Sequence, residues 1–340
     1  MDTLTHISLG IVLSEGTARK TLGKSGLLLG TVFQLLPDCD VVAALWVPSD
    51  VNLHVHRGIT HSIFFATLAA SAFAYVFYFV YKKRVNFMFL FLFLLMQILS
   101  HIFLDLFNAY GVGWLEPFSR EKLSLHTLFV ADPLFTIWLS LAAVICISSN
   151  KLQTRKWAVV GSLVICTAYI LLARYNRGVV KENVASTLKL STTADVLITP
   201  SQWNTLLWYV VVPRNTGFHV GYSSVFDKPG TTQFTFHQQH RNLLDGFPNE
   251  TLKENLTAFS QGFYTVEADG DTLIFNDLRF GQIAGWENPE NRFVFHYYLN
   301  DPRSNRLVMQ RGRFQGWNQQ SMSSFFRRLR GYTDHPVRNN

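Results

Sequence analysis

Residues 85–105 read VNFMFLFLFLLMQILSHIFLD, a run without charge until its last turn, where a histidine and an aspartate stand four apart. A hydrocarbon core of ~30 Å takes about 20 apolar residues in a helix, and residues 85–104 supply them. The run is apolar on every side, so it reads as a membrane span. Residues 62–81 form a second span without a single charge, and Lys82-Lys83-Arg84 between the two is too costly to place in lipid. That basic triplet reads as the turn of an antiparallel helical hairpin. Residues 133–149 and 157–173 are shorter but uncharged, with Lys151, Arg155 and Lys156 between them. Four spanning helices are the simplest count.

Both basic turns follow an odd-numbered span, and the positive-inside rule makes their side cytoplasmic. The N-terminus, the 105–132 loop and the C-terminal half are then extracytoplasmic, although Arg174, Arg177 and Lys181 oppose this mildly. Residues 25–36 are short and punctuated by glycine, so they read as an interfacial or re-entrant helix ending at Pro37. If they span together with residues 41–47, the topology changes. MDTLTHISLG lacks the basic stretch and apolar core of a secretory signal and reads as mature sequence.

The apolar runs stop near residue 175, and the pattern becomes β-like. Residues 206–212, 218–225, 263–267, 272–276 and 293–299 are rich in β-branched and aromatic side chains, Asp269-Gly270 marks a hairpin, and residues 250–259 read as a short helix. The expected fold is thus an α-helical membrane domain over residues 1–175, with about four transmembrane helices plus short interfacial ones. A small α+β domain with antiparallel sheet follows over 176–340. The three cysteines, Cys39, Cys146 and Cys166, exclude a disulfide framework and a Cys-rich metal site. The net charge of +7 is local: from Asp301 onward eight arginines face Asp301 and Asp334. Its aromatic interleaving fits a strand and a solvated amphipathic helix, and no nucleic-acid partner is expected.

Polar residues in the apolar half carry the functional signal. His101 and Asp105 project from one helix face, one turn apart. Two ionisable groups on one face of a span, each costing roughly 2.5–3.5 kcal/mol to insert, require a compensating partner. His56, Arg57 and His61 abut the outer end of the first span, Asp38 and Asp40 follow the re-entrant helix, Asp2 and His6 are four apart, and Asp132 opens the third span. Under the topology above all share one side. Imidazoles and carboxylates without thiolate suit zinc, or manganese and iron, as one to three divalent ions. The metal candidates are His6, Asp40, His61, His101, Asp105, Asp2 and Asp132. The candidates for acid, base and oxyanion roles are Arg57, His56 and Asp38. No G-x-S-x-G elbow is present, so a serine nucleophile is disfavoured. His126 is the remaining histidine nearest this pattern.

The segments MDTLTHISLG, LLPDCD, HRGITHS, HIFLDLFNAYG and ADP resemble those of the YdjM-like family of membrane-bound metal-dependent hydrolases. TPSQWNTLLWYVV, VGYSSVFD and LRFG resemble its longer YfhP-type branch, which extends the likeness over nearly the whole chain. The resemblance implies a metal-dependent hydrolase in the bacterial cytoplasmic (inner) membrane, with the substrate open. More distantly, the order His6, Asp40, His61, His101, Asp105 is similar to that in zinc-dependent phospholipases C and single-strand nucleases. That similarity implies one metal held by Asp40, His61, His101 and Asp105 and a second by His6 with Asp105. Two departures are plain: the chain begins with Met1 where those enzymes use a processed Trp, and their later ligands find counterparts here in His126 and Asp132 alone.

The leading expectation is hydrolysis of a phosphoester in a phospholipid or lipid-linked substrate, because the ligands gather where headgroups lie. The alternative is a non-enzymatic scaffold or an ion or proton transporter using the same residues. Clustering at one interface favours the enzyme, and distribution through the bilayer would favour transport.

Overall fold

The computed structural model describes residues 1–190, 195–301, 305 and 317–332. Much of the basic tail (Arg303, Arg306, Arg311, Arg313, Asp334 and Arg338) lies outside the described residues. Two compact units result. The first holds Met1–Val47 and Val55–Leu171, the second Pro48–His54 and the described residues from Leu172 onward.

In the first unit α1 (Thr3–Thr17) and α2 (Arg19–Leu35) form a hairpin, and a 3-10 segment, Leu36–Leu45, continues α2. After α3 (Ser49–Val55), which belongs almost wholly to the second unit, come α4 (Ile63–Val80), α5 (Phe87–Asp105), α6 (Pro133–Ser148) and α7 (Leu152–Leu188). Four stretches are long and apolar enough to cross a membrane: Arg19–Leu45, Ile63–Val80, Phe87–Asp105 and Leu152–Leu188. Pro133–Ser148 is shorter. Among the described residues the number four agrees with expectation but the membership differs: the expected span 133–149 corresponds to the shorter Pro133–Ser148, and residues 25–36, expected to be interfacial, are part of the long run Arg19–Leu45. The breakers are absorbed: Gly23 takes a left-handed φ of 62° at a kink, and Pro37 sits at the start of the 3-10 segment, where its missing N–H is harmless.

Packing here inverts the soluble pattern. Ala66, Ala70 and Ala74 of α4 are fully buried against Leu90, Leu94, Ile98 and Ile102 of α5, while Phe64, Leu68, Val76 and Phe79 point outward. Small residues inside and large ones outside let helices approach where lipid removes any hydrophobic drive between them. The same logic joins α1 to α2. A Cβ on Gly30 would fall on the Ser14 hydroxyl, and Ser14 accepts a hydrogen bond from Gln97 Nε2 on α5 at 3.0 Å. At the far ends of these helices lie three turns, carrying Arg19, Lys20 and Lys24; Lys82, Lys83 and Arg84; and Lys151, Arg155 and Lys156. Glu15 pairs there with Arg155 at 2.6 Å and Arg19 at 3.5 Å.

The second unit contains two antiparallel sheets. One has the order β1 (Leu197–Pro200), β2 (Leu207–Arg214), β3 (Gly217–Ser224), β4 (Phe234–Gln238). The strand β2 is buried on both faces: Trp208, Val210 and Val212 pack against Val180 and Val184 of α7, and Leu207, Tyr209 and Val211 join a core with Leu278, Phe293 and Phe325. Double burial explains its continuous apolar run. The helix α8 (Glu250–Phe259) precedes the second sheet, β5 (Tyr264–Asp269), β6 (Thr272–Gln282) and β7 (Phe293–Tyr298), with Gly270 at φ 59° turning the β5–β6 hairpin. The last described helix is α9 (Gln319–Leu329), whose Arg328 pairs with buried Asp227 at 2.6 Å. The fold expected from sequence, membrane helices followed by an α+β domain, is the one found.

One insert crosses from early sequence into this unit. Ser49 Oγ meets the Tyr297 hydroxyl at 2.9 Å, Asn255 Nδ2 donates to Asp50 at 2.8 Å, His54 Nε2 lies 2.8 Å from the Asn255 carbonyl, and Leu53 is buried.

Gly30→Ala should destabilise the detergent-solubilised protein by about 1–3 kcal/mol through overpacking. Adding Ser14→Ala should recover part of that loss. Identical melting of wild type and Gly30→Ala would show that α1 and α2 do not touch there.

Candidate metal centre

Five elements of the first unit end at one level: the N-terminus of α1, the 3-10 segment after α2, the short 3-10 turn Ile59–His61 before α4, the C-terminus of α5 and the N-terminus of α6. Up-and-down threading therefore collects His6, Asp38, Asp40, His61, His101, Asp105 and Asp132 from positions far apart in sequence.

Asp38, His61, His101 and Asp105 each offer one donor atom, and the four atoms lie within 4.8 Å of one another. Nε2 of His61 and Nε2 of His101 are 3.2 Å apart. From Asp38 Oδ1 the distances are 3.7 Å to His61 and 3.5 Å to His101, and from Asp105 Oδ2 they are 3.5 and 3.7 Å. Ligand bonds of ~2.0–2.2 Å in a tetrahedron give donor separations of roughly 3.3–3.6 Å. The four donors could hold a metal ion. A further sign is that Asp105 Oδ2, His101 Nδ1 and both nitrogens of His6 are buried without a hydrogen-bond partner among the described residues, a cost that ligation would offset.

The surroundings fix the donors. His61 Nδ1 faces Thr60 Oγ1 at 3.1 Å and Asp40 Oδ2 at 3.6 Å, which holds the proton on Nδ1 and leaves the Nε2 lone pair for the shared centre. Burial pushes the His61 imidazole down to about 3, so it is neutral at physiological pH, as a ligand must be. Asp40 itself also accepts from the Arg57 backbone N–H at 2.6 Å and meets His56 Nδ1 at 3.2 Å. It sits behind His61, while Asp38 faces the imidazoles. Arg57 holds a left-handed φ of 57°, forms an ion pair through Nη2 with Asp105 Oδ2 at 3.0 Å and donates through Nη1 to Asn108 Oδ1 at 2.8 Å. A non-glycine residue in that region costs about 1–3 kcal/mol, which its contacts at backbone and side chain sustain.

Of the remaining candidates, His6 is close: its Nε2 is 3.3 Å from Asp105 Oδ1 and its ring stacks on His101 at 3.7 Å. The Met1 amino group also contacts Asp105 Oδ1. Asp2 and Asp132 lie outside the four-donor group. Asp2 caps α1 and bonds Thr5, and Asp132 caps α6 and accepts from the Tyr169 hydroxyl at 2.7 Å. His126 is likewise not among the four. Sequence reading passed over Thr60 and Asn108. The signal for Asn108 was its place three residues after Asp105, one turn further along the same face.

Residues 1–180 match the family described as YdjM inner membrane protein. The uncharacterized protein YfhP of Bacillus subtilis (strain 168) is 29% identical over 184 residues, which is 52% of this chain and 52% of its own. The inner membrane protein YbcI of Escherichia coli (strain K12) is 31% identical over 121 residues, 35% of this chain and 69% of its own. The match thus spans about half the length of YfhP. No solved structure matches the chain.

His101→Ala and Asp105→Ala should each release the metal that wild-type protein retains after removal of loosely bound ions, read by elemental analysis. Asp40→Asn, which alters the support of His61 and of the His56–Arg57 loop rather than one of the four donors, should weaken zinc affinity about 10–100-fold in a competition titration. Equal metal content in all four proteins would rule the site out.

Proposed function

The chain belongs to the YdjM inner membrane protein family, and from that premise we propose that its membrane unit is a metal-dependent hydrolase acting on a phosphoester. The observation carrying the reading is the four-donor group of Asp38, His61, His101 and Asp105, gathered at one end of the helices beside a buried arginine. A divalent ion on these donors, zinc first by the nitrogen and carboxylate set, would supply Lewis acidity and lower the pKa of water towards ~7.

The chain's own groups account for the rest. Asp38 is the open member, with its side chain 30% exposed where its three companions are fully buried, so water and substrate approach from its side. It faces the imidazoles through one oxygen and keeps a second that can take a proton from the attacking water. Arg57 Nε has no hydrogen-bond partner and is available to a phosphoryl oxygen, while Nη1 and Nη2 hold the guanidinium in place. His56, part-exposed next to it, adds a second donor for developing negative charge.

An ion path is the alternative. The buried network leading away from the cluster consists of uncharged Ser14, Gln34, Gln97 and Ser100, which suits helix packing better than ion passage. For orientation, all three turns at the end remote from the cluster are basic, and the positive-inside rule then favours a cytoplasmic position for them. The cluster end and the residues after 172 are accordingly proposed to be extracytoplasmic.

Purified protein should cleave members of a phosphodiester and phospholipid panel, and chelator should abolish the activity. Asp38→Asn should lower turnover by about 10²-fold or more while the protein stays folded. Activity surviving both treatments would refute the mechanism, and hydrolysis confined to peptides or acyl esters would keep the site but overturn the substrate class. Separately, a cysteine placed at Asp269 should react with a membrane-impermeant thiol reagent in cells whose inner membrane is intact. Reaction only after lysis would reverse the orientation.

A further inference from the structure

The loop after α5 contains a closed strap. Val112 and Leu123 exchange two backbone hydrogen bonds of 3.0 Å, which pin the base and project the residues between them. The strap is tied to the candidate centre from both arms. Gly113 N–H donates to the Arg57 carbonyl at 2.8 Å, and Lys122 Nζ donates to the His56 carbonyl at 2.6 Å.

The tip has the wrong chemistry for water. Phe118 is 84% exposed and Leu115 55%. Its height is set by α4: the Ile63 N–H donates to the Trp114 carbonyl at 3.1 Å, and the Phe118 ring meets the Phe64 ring edge-on at 6.2 Å. Phe64 is in the first turn of a candidate span and faces outward, so Phe118 stands level with the start of that span. Arg120 is exposed just behind the tip, at the position that suits a lipid phosphate. Apolar side chains at the tip with a cation one step back fit a lipid leaflet, whereas a soluble protein partner would have to compete with lipid for Phe118 at the level of Phe64.

We propose that residues 113–122 form a lip that dips into the bilayer and through which a membrane-resident amphiphile with a phosphate head reaches the cluster. The acyl chain lies along Phe64, Leu115 and Phe118, and the head comes to Arg57, to whose backbone the lip is bonded. The second half of this inference rests on the hydrolase reading, and the first half does not.

The test uses the full chain in nanodiscs containing anionic phospholipid, with Cys39→Ser to remove the exposed thiol and a nitroxide on Phe118→Cys. Its collision rates with oxygen and with a polar nickel chelate are compared with those of labels at Leu68, which faces outward within α4, and at Asp271, exposed in the second unit. The label at 118 should match 68, with oxygen favoured; a match to 271 overturns the lip whatever the enzyme does. For access, Phe118→Asp should lower turnover of a long-chain phospholipid at least about tenfold relative to a water-soluble short-chain phosphodiester, with metal content unchanged. An equal effect on both substrates, or none on either, overturns the access route. Cleavage of neither substrate by wild type removes the hydrolase reading and with it the access route, while the collision data still decide the lip.

Discussion

A carboxylate with no exposure to water sets the terms for the membrane unit. Asp105 would cost several kcal/mol if left ionised and alone among apolar helices. Arg57 reaches one of its oxygens at 3.0 Å, with His61 and His101 within 3.7 Å of the same atom; His6 lies 3.3 Å from the other oxygen, which the Met1 amino group also contacts. Beyond His101, which shares α5 with Asp105, these residues come from other parts of the chain. The demand for compensation therefore gathers the start of α1, the turn before α4 and the Arg57 loop around the end of α5, and it brings together nitrogen and oxygen donors that could hold a metal ion.

Helices were legible in the sequence where length and the absence of charge decided them, as in residues 85–105, and strands where burial on both faces kept them apolar. The strand β4, FTFHQ, was missed because its side chains are half exposed, and β1 because it is four residues long and ends in proline. Residues 25–36 were read as an interfacial or re-entrant helix because glycine and proline signal an end on average, whereas they belong to the run Arg19–Leu45, which is long and apolar enough to cross a membrane. At the site, side and spacing were readable, since His101-x-x-x-Asp105 announces one helix face. The division of labour between Asp38 and Asp40 was not. Two residues apart on a 3-10 segment they turn to different neighbours, and nothing local says which neighbour will be a histidine at the centre and which a backbone amide of a distant loop.

The two units solve opposite solvent problems with the same rules. In the first, the alanines of α4 face inward while its Phe64 and Phe79 face outward, and buried amides and hydroxyls such as Gln97 and Ser14 replace hydrophobic drive between helices. In the second, large side chains such as Trp208 and Tyr209 are buried, and the buried charges Asp227 and Asp277 are each paired with an arginine. Helix α7, 37 residues long or roughly 55 Å, contributes residues to both.

The insert Pro48–His54 gives the chain a built-in order of assembly. Synthesis runs from the N-terminus, so Ser49, Asp50 and His54 leave the ribosome 201 to 248 residues before the Asn255 and Tyr297 groups that hold them. At about 5–20 residues per second that interval is roughly 10–50 s. During that interval α4 to α7 are synthesised, while the segment leading directly into His56 and Arg57 still lacks these partners. A nascent chain halted before the C-terminal unit therefore carries every candidate metal donor while Ser49, Asp50 and His54 still lack the partners that hold them.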